Sequence, residues 1–212
     1  LNAHRNDFSR EPVRSPRQQK ITTGFFAASW RFFTPAIWWL VLGGLLFGPA
    51  ARGVEPALTE YQVKALCLVN FARYTEWPAA VFSETNAPLV IGIIGESRLR
   101  TSLQSATEGK NIAGHNVVIR DLNTEVEYDK CQILFVSASE TKHLPEILSR
   151  VKNKPILTVG ETEPFLQQGG IIDFAMRSGR VRFDIDLNAA HHSGLQISSK
   201  VLSLADEVRG KP

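Results

Sequence analysis

The chain has 212 residues, a formal charge of +3 and two cysteines. Seven of its 24 Lys/Arg and two of its 21 acids lie in residues 1–53, so the remaining 159 residues hold 17 basic and 19 acidic side chains, a net of −2. That mildly acidic body removes the electrostatic case for a nucleic-acid partner, and two cysteines allow at most one disulfide.

Residues 1–24 are polar, Arg-rich and aperiodic and are set aside from the fold. Phe32 to Ala51 then runs without a charge behind Arg31, and Ala51 and Gly53 supply small residues at −3 and −1 of a cut after Gly53. This is the layout of a secretory signal peptide, and it predicts a leader over 1–53 followed by one α/β domain over 54–212. The rival reading is an uncleaved membrane anchor, since about twenty apolar residues can span a bilayer. Pro35, Pro49 and Gly43-Gly44 shorten the uninterrupted apolar core, which favours the leader. No twin-Arg pair precedes the run and no Cys follows it, so Sec-like export without a lipid anchor is expected.

Thr59 is the N-cap candidate of a long leading helix, with Gln62 three residues on as its capping-box partner and Leu58 and Val63 placed as a hydrophobic staple. Val63, Leu66, Cys67, Phe71 and Tyr74 recur at helical spacing, and Pro78 ends the helix by Trp77. Leu89 to Gly95 is apolar on both faces, which suits a central strand covered on both sides. A short helix follows over 98–106, and strands are predicted at 117–119 and 132–136. Leu144, Ile147, Leu148 and Val151 mark a helix over 141–151, followed by a strand over 155–159, a short helix at Phe165-Leu166 and a strand over 171–175.

A turn at Arg177–Gly179 leads into an antiparallel strand over 181–187. Val181, Phe183 and Ile185 face one way there, while Arg182, Asp184 and Asp186 form a wet face. A final helix starts at Ser198 or Ser199, with Val201, Leu204, Ala205 and Val208 as its apolar stripe. The order predicts one compact α/β domain, a mixed sheet of five to six strands flanked by helices.

No phosphate-loop or dinucleotide motif is present, and no G-x-S-x-G elbow. The histidines (His4, His115, His143, His191 and His192) have no metal-ligand spacing, so neither metal nor cofactor is expected. Asp184 and Asp186 read as solvated residues partly neutralised by Arg182, not as an acid–base pair. Nothing assembles into a catalytic constellation, and the protein is read as a non-enzyme.

The polar candidates lie on the first helix. Asn70 needs hydrogen-bond partners if buried. Arg73, Glu76 and Trp77 can form a binding rim, Trp and Arg being enriched in interface hot spots, although Trp77 can equally pack beneath a loop. Asn70, Arg73, Trp77 and Arg182 together are the candidate pocket for a small-molecule effector. Cys67 and Cys131 are the candidate disulfide; Cys67 in its apolar helix reads equally as a buried free thiol.

The stretch from Glu60-Tyr61-Gln62-Val63-Lys64-Ala65 to Asn70-Phe71-Ala72-Arg73-Tyr74-Thr75-Glu76-Trp77-Pro78 resembles the opening of the YfiR-like family of periplasmic proteins. Ile91-Gly92-Ile93-Ile94-Gly95, Cys131-Gln132-Ile133-Leu134-Phe135-Val136-Ser137, Gly169-Gly170-Ile171-Ile172 and Gly194 to Leu202 continue the resemblance in order, from about Leu58 to Val208. The resemblance implies an exported α/β regulator that inhibits an inner-membrane diguanylate cyclase by binding its periplasmic sensor region, so that release raises cyclic di-GMP and favours biofilm. It also implies homodimers and redox-sensitive disulfides. This chain departs from the pattern there: no second Cys closely follows Cys131, and Asp186 stands where Asn is common.

Overall fold

The computed structural model describes residues 57–82, 86–122 and 125–210. The expected leader, its apolar core over 32–51 and the cut after Gly53 lie outside the described residues.

The leading helix α1 runs Glu60–Tyr74. Its capping box is formed: Thr59 Oγ1 accepts from the Gln62 backbone N–H, and Gln62 Oε1 accepts from the Thr59 N–H at 2.8 Å. Strand β1 (Thr75–Glu76) follows at once and pairs antiparallel with β9 (Gln196–Ile197), which fixes the end of the helix to the C-terminal part of the chain.

An eight-stranded sheet follows the order β10-β8-β7-β6-β5-β2-β4-β3. The strands are β2 (Leu89–Ile94), β3 (Asn111–Ile112), β4 (His115–Asp121), β5 (Ile133–Val136), β6 (Leu157–Gly160), β7 (Ile172–Arg177), β8 (Arg180–Asp186) and β10 (Glu207–Arg209). The run β4-β2-β5-β6-β7 is parallel, the β3–β4 and β7–β8 hairpins are antiparallel, and β10 lies parallel to β8. The sheet is mixed, as expected, but has eight strands and not five to six. The additions at its two edges, β3 and β10, are two and three residues long, too short to leave a periodic signal.

Alternation along the strands splits the core into two layers. Leu89, Ile91, Ile93, Ile133 and Phe135 face α1 and α2 (Leu99–Thr107); Val90, Ile94, Leu134 and Val136 face α3 (Leu144–Val151). This is why β2 and β5 read as apolar on both sides. In the first layer Phe71 meets Phe183 edge to face, ring centroids 4.9 Å apart, and lies 5.8 Å from Phe174. The short helices α4 (Leu187–His192) and α5 (Ser199–Leu202) complete that layer through Leu187, Ala190 and Val201.

The C-terminus corrects the sequence reading. The final helix stops at Leu202, Leu204 is exposed, and Val208 belongs to β10 rather than to a helical stripe. The apolar spacing in this stretch is coincidental. The Asp206 N–H donates to the Phe183 carbonyl and pulls the chain alongside β8.

Candidate functional site

The predicted polar residues do not converge. Asn70 and Arg73 are exposed on α1, in line with Gln62 and Leu66 at helical spacing, and Glu76 is exposed on β1 opposite Gln196. Asn70 therefore needs no protein partner. Trp77 is half-buried, packed edge to face on Phe82, and its indole N–H has no hydrogen-bond partner among the described residues. Arg182 lies elsewhere. Its neighbour Phe183 faces α1, so Arg182 projects from the opposite face of the sheet, where its guanidinium lies 3.7 Å from Asp206. A pocket made jointly by Asn70, Arg73, Trp77 and Arg182 is not formed.

Cys67 and Cys131 are both free thiols, and they belong to different core layers on the two sides of the sheet. Burial pushes the Cys67 thiol up to about 11 and the Cys131 thiol up to about 12.

The wet face expected on β8 is also different. Asp184 is buried, held by a two-pronged contact from the Arg177 guanidinium (Nη1 2.9 Å, Nη2 2.5 Å) and by the Glu207 N–H at 3.1 Å. The hydrogen bonds from Arg177, together with its charge, hold the Asp184 carboxyl below the usual carboxylate range despite burial. Asp186 caps α4, accepting from the Ala189 N–H at 3.0 Å. Neither aspartate is available as an acid–base pair.

In open α/β sheets the usual ligand crevice lies at the carboxyl ends of the strands where the chain direction divides, here between β2 and β5. The loops after those strands fill it. The Glu96 N–H donates to Ser139 Oγ at 3.0 Å, and Ser137 Oγ donates to the Glu96 carbonyl at 2.6 Å. A side chain at Gly95 would meet Ser139 Oγ at 2.3 Å.

An open cleft of about 580 Å³ lies further along the same edge. Strand β6 ends at Gly160, which pairs with Asp173, while β7 continues to Arg177. The step leaves one edge of β7 unpaired beyond β6, facing a notch between the start of α1 and the loop after β6. Lys64, unforeseen in the sequence, is buried at its wall, with its ammonium 2.5 Å from Glu60 and 2.7 Å from Glu161. Glu161 also accepts from the Ala138 N–H at 3.1 Å. Burial works against the Lys64 charge, but the hydrogen bonds and charges of Glu161 and Glu60 outweigh it and raise its pKa.

Asp173 sits in the cleft, 7% exposed, and accepts from the Thr162 N–H at 3.0 Å. Burial pushes its carboxyl up to about 7; the Thr162 hydrogen bond opposes the shift and the neighbouring Asp184 charge adds to it. Nothing in the sequence marks this residue, because an Asp inside an apolar run (Ile171-Ile172-Asp173-Phe174) carries no motif.

Among the described residues no group of three potential metal ligands occurs, and no helix is long and apolar enough to cross a membrane. The architecture is thus a layered α/β domain on a mostly parallel sheet, with a charged notch at the strand carboxyl ends. The chain belongs to the YfiR/HmsC-like family, which it matches over residues 61–206. A solved conserved domain protein from Vibrio cholerae O1 biovar eltor str. N16961 shares the fold at a TM-score of 0.50 and 11% identity, over 72% of this chain. This chain spans 61% of the length of that one. An ABC domain from Streptococcus pneumonia, solved in complex with L-Trp, gives a TM-score of 0.40 at 16% identity, over 57% of this chain and 55% of its own.

Proposed function

We propose that the protein is an exported, non-enzymatic regulator that binds the periplasmic sensor region of an inner-membrane diguanylate cyclase and holds the enzyme inactive. The observation that carries this reading is membership of the YfiR/HmsC-like family over nearly all of the folded domain. Inhibition of this kind needs a surface with higher affinity for one of two partner conformations, not a reacting site. The outer ridge of α1 suits such a role. Gln62, Leu66, Asn70 and Arg73 form one exposed stripe on a helix capped at its start and pinned at its end by β1–β9. Leu66 is 41% exposed, an apolar contact within a polar line. Arg182, on the other face of the sheet, is not part of this surface.

The test is co-purification of the exported protein with candidate membrane cyclases, together with cyclic di-GMP measurement after deletion of its gene. Capture of a cyclase and a rise in the nucleotide on deletion are expected. Capture that survives Leu66→Glu and Arg73→Glu would remove the α1 ridge from the interface. No captured cyclase and unchanged nucleotide would overturn the regulatory reading itself.

A further inference from the structure

The cleft at the β6–β7 step has an unbalanced set of charges. Six carboxylates line it (Glu60, Glu161, Glu163, Asp173, Asp184 and Glu207) against three cations, Lys64, Arg177 and Arg209. Each of the three cations is already engaged. Lys64 bridges Glu60 and Glu161, Arg177 grips Asp184 and Asp206, and Arg209 lies 3.0 Å from Glu207. Asp173, the most buried of these carboxylates without a partner cation among the described residues, holds a single hydrogen bond from a backbone N–H. Its other carboxylate oxygen, Oδ2, accepts no hydrogen bond among the described residues. A buried carboxylate that lines the cleft therefore lacks what a charged donor would supply.

We propose that this cleft binds a small organic cation, whose ammonium or guanidinium group pairs with Asp173 and whose apolar part lies along Tyr61 and Met176. The volume, about 580 Å³, falls in the range of small-molecule sites. The excess of carboxylates attracts a cation and repels an anion. Tyr61 is half-buried and Met176 is 50% exposed, so both present apolar surface at the opening. The inference does not depend on the cyclase reading, since the cleft and the outer ridge of α1 are different surfaces.

Binding is coupled to a proton. Glu161 and Asp184 oppose ionisation of Asp173, while Arg177 and the Thr162 N–H favour it. Lys64 is committed to Glu60 and Glu161, Arg209 to Glu207, and Glu163 adds negative charge at the rim. The carboxyl, pushed up to about 7, must ionise to receive the cation. About one tenth of molecules are competent at pH 6 and about nine tenths at pH 8, so affinity rises roughly tenfold over that interval.

The experiment is calorimetric titration of the purified protein with 2-phenylethylammonium, and in parallel with the neutral 2-phenylethanol and the anionic phenylacetate. Saturable binding of the ammonium alone is expected, about tenfold tighter at pH 8 than at pH 6, with a proton released to the buffer at the lower pH. Asp173→Asn, which keeps the side-chain shape, should weaken binding at pH 8 more than tenfold. Met176→Ala, at an exposed wall position, should weaken it less. No saturation at about 10 mM ammonium, equal binding of the alcohol, or undiminished binding by Asp173→Asn would overturn the site.

Discussion

Asp173 and Asp184 stand directly opposite each other across the β7–β8 ladder, yet only Asp184 holds a cation among the described residues. The same burial has opposite results. Arg177 keeps one carboxyl ionised, and desolvation leaves the other only partly ionised near pH 7. Like charges directly across a strand pair are unfavourable, and leaving one of them protonated relieves the conflict.

The pH dependence of stability follows from Asp173. Its folded pKa, about 7, lies above its ordinary 3.8, so between those values the native state binds a proton that the unfolded chain has lost. Stability therefore falls as pH rises from about 4 to about 7 and is lowest with respect to this group above that range. Asp173→Asn removes the dependence. Urea unfolding at pH 8 should show the variant more stable by about 1–3 kcal/mol, with little difference at pH 4. Equal gains at both pH values would show that ionisation is not the cause.

Arg177→Met leaves Asp184 buried without its cation. Arg177 is partly exposed, so the loss is set below that for a fully buried pair, at about 1–3 kcal/mol. The sign is opposite to that for Asp173. The Asp184 pKa is lowered, so its contribution is full above the ordinary carboxylate range and is lost as pH falls through the folded value. Denaturation curves should show the variant weaker at pH 7 and closer to wild type as pH drops below about 4. Asp184→Asn added to Arg177→Met should recover part of the loss.

Lys64→Met tests the wall of the cleft. Among the described residues it removes the only cation in an ion pair with the buried Glu161, whose side chain is 8% exposed. A loss of about 3–5 kcal/mol is expected, and a second change, Glu161→Gln, should recover much of it, because the remaining cost is an unpaired buried charge. Additive losses in the double variant, measured by urea unfolding, would show that the two residues act separately.

Much of the fold is legible in the chain because its signals are periodic. The capping box of α1 and the two-sided apolar strands β2 and β5 follow from spacing, whereas the wet face read from the alternation in β8 does not hold at the buried Asp184. The edges of the sheet are not legible, because β3 and β10 are shorter than any period. The site is less legible still. Lys64 stands in a helical row where a Lys reads as solvent-facing, and the distant Glu161, which joins Glu60 in compensating its burial, leaves no local signal. Arg177 and Asp184 are seven residues apart on two strands, and their ion pair depends on the hairpin register. Asn70, Arg73, Glu76 and Trp77 are near one another along the chain, but Arg182 joins them by residue type alone, which says nothing about the face of a sheet.

Cysteine chemistry gives a further prediction. With both thiols pushed up by burial, neither carries appreciable thiolate at pH 8. A thiol-reactive chromogenic disulfide should titrate the folded protein slowly and reach both sulfurs only in denaturant. Oxidant should leave the native protein's mobility on a non-reducing gel unchanged, the two sulfurs lying in separate layers. Rapid modification of the native state, or a band shift reversed by reductant, would contradict this arrangement.

The loop that carries Glu161 and Thr162 is held by one aromatic ring. Phe165 is fully buried and lies between Gly160 and Gly170. A Cβ on Gly160 would come within 2.2 Å of one edge of the ring, and a Cβ on Gly170 within 2.2 Å of the opposite edge. Neither glycine has a positive φ, so the requirement is for space and not for backbone freedom. Gly160→Ala must displace the ring, and about 2–4 kcal/mol of stability should be lost by overpacking. If the ring is the obstacle, Phe165→Leu alone should cost about 1–2 kcal/mol, while added to Gly160→Ala it should restore part of the loss. A double-mutant cycle by urea unfolding measures this directly. Because the displaced loop also carries the Thr162 N–H that binds Asp173, Gly160→Ala should raise the Asp173 pKa further, seen as a carboxyl resonance titrating at higher pH.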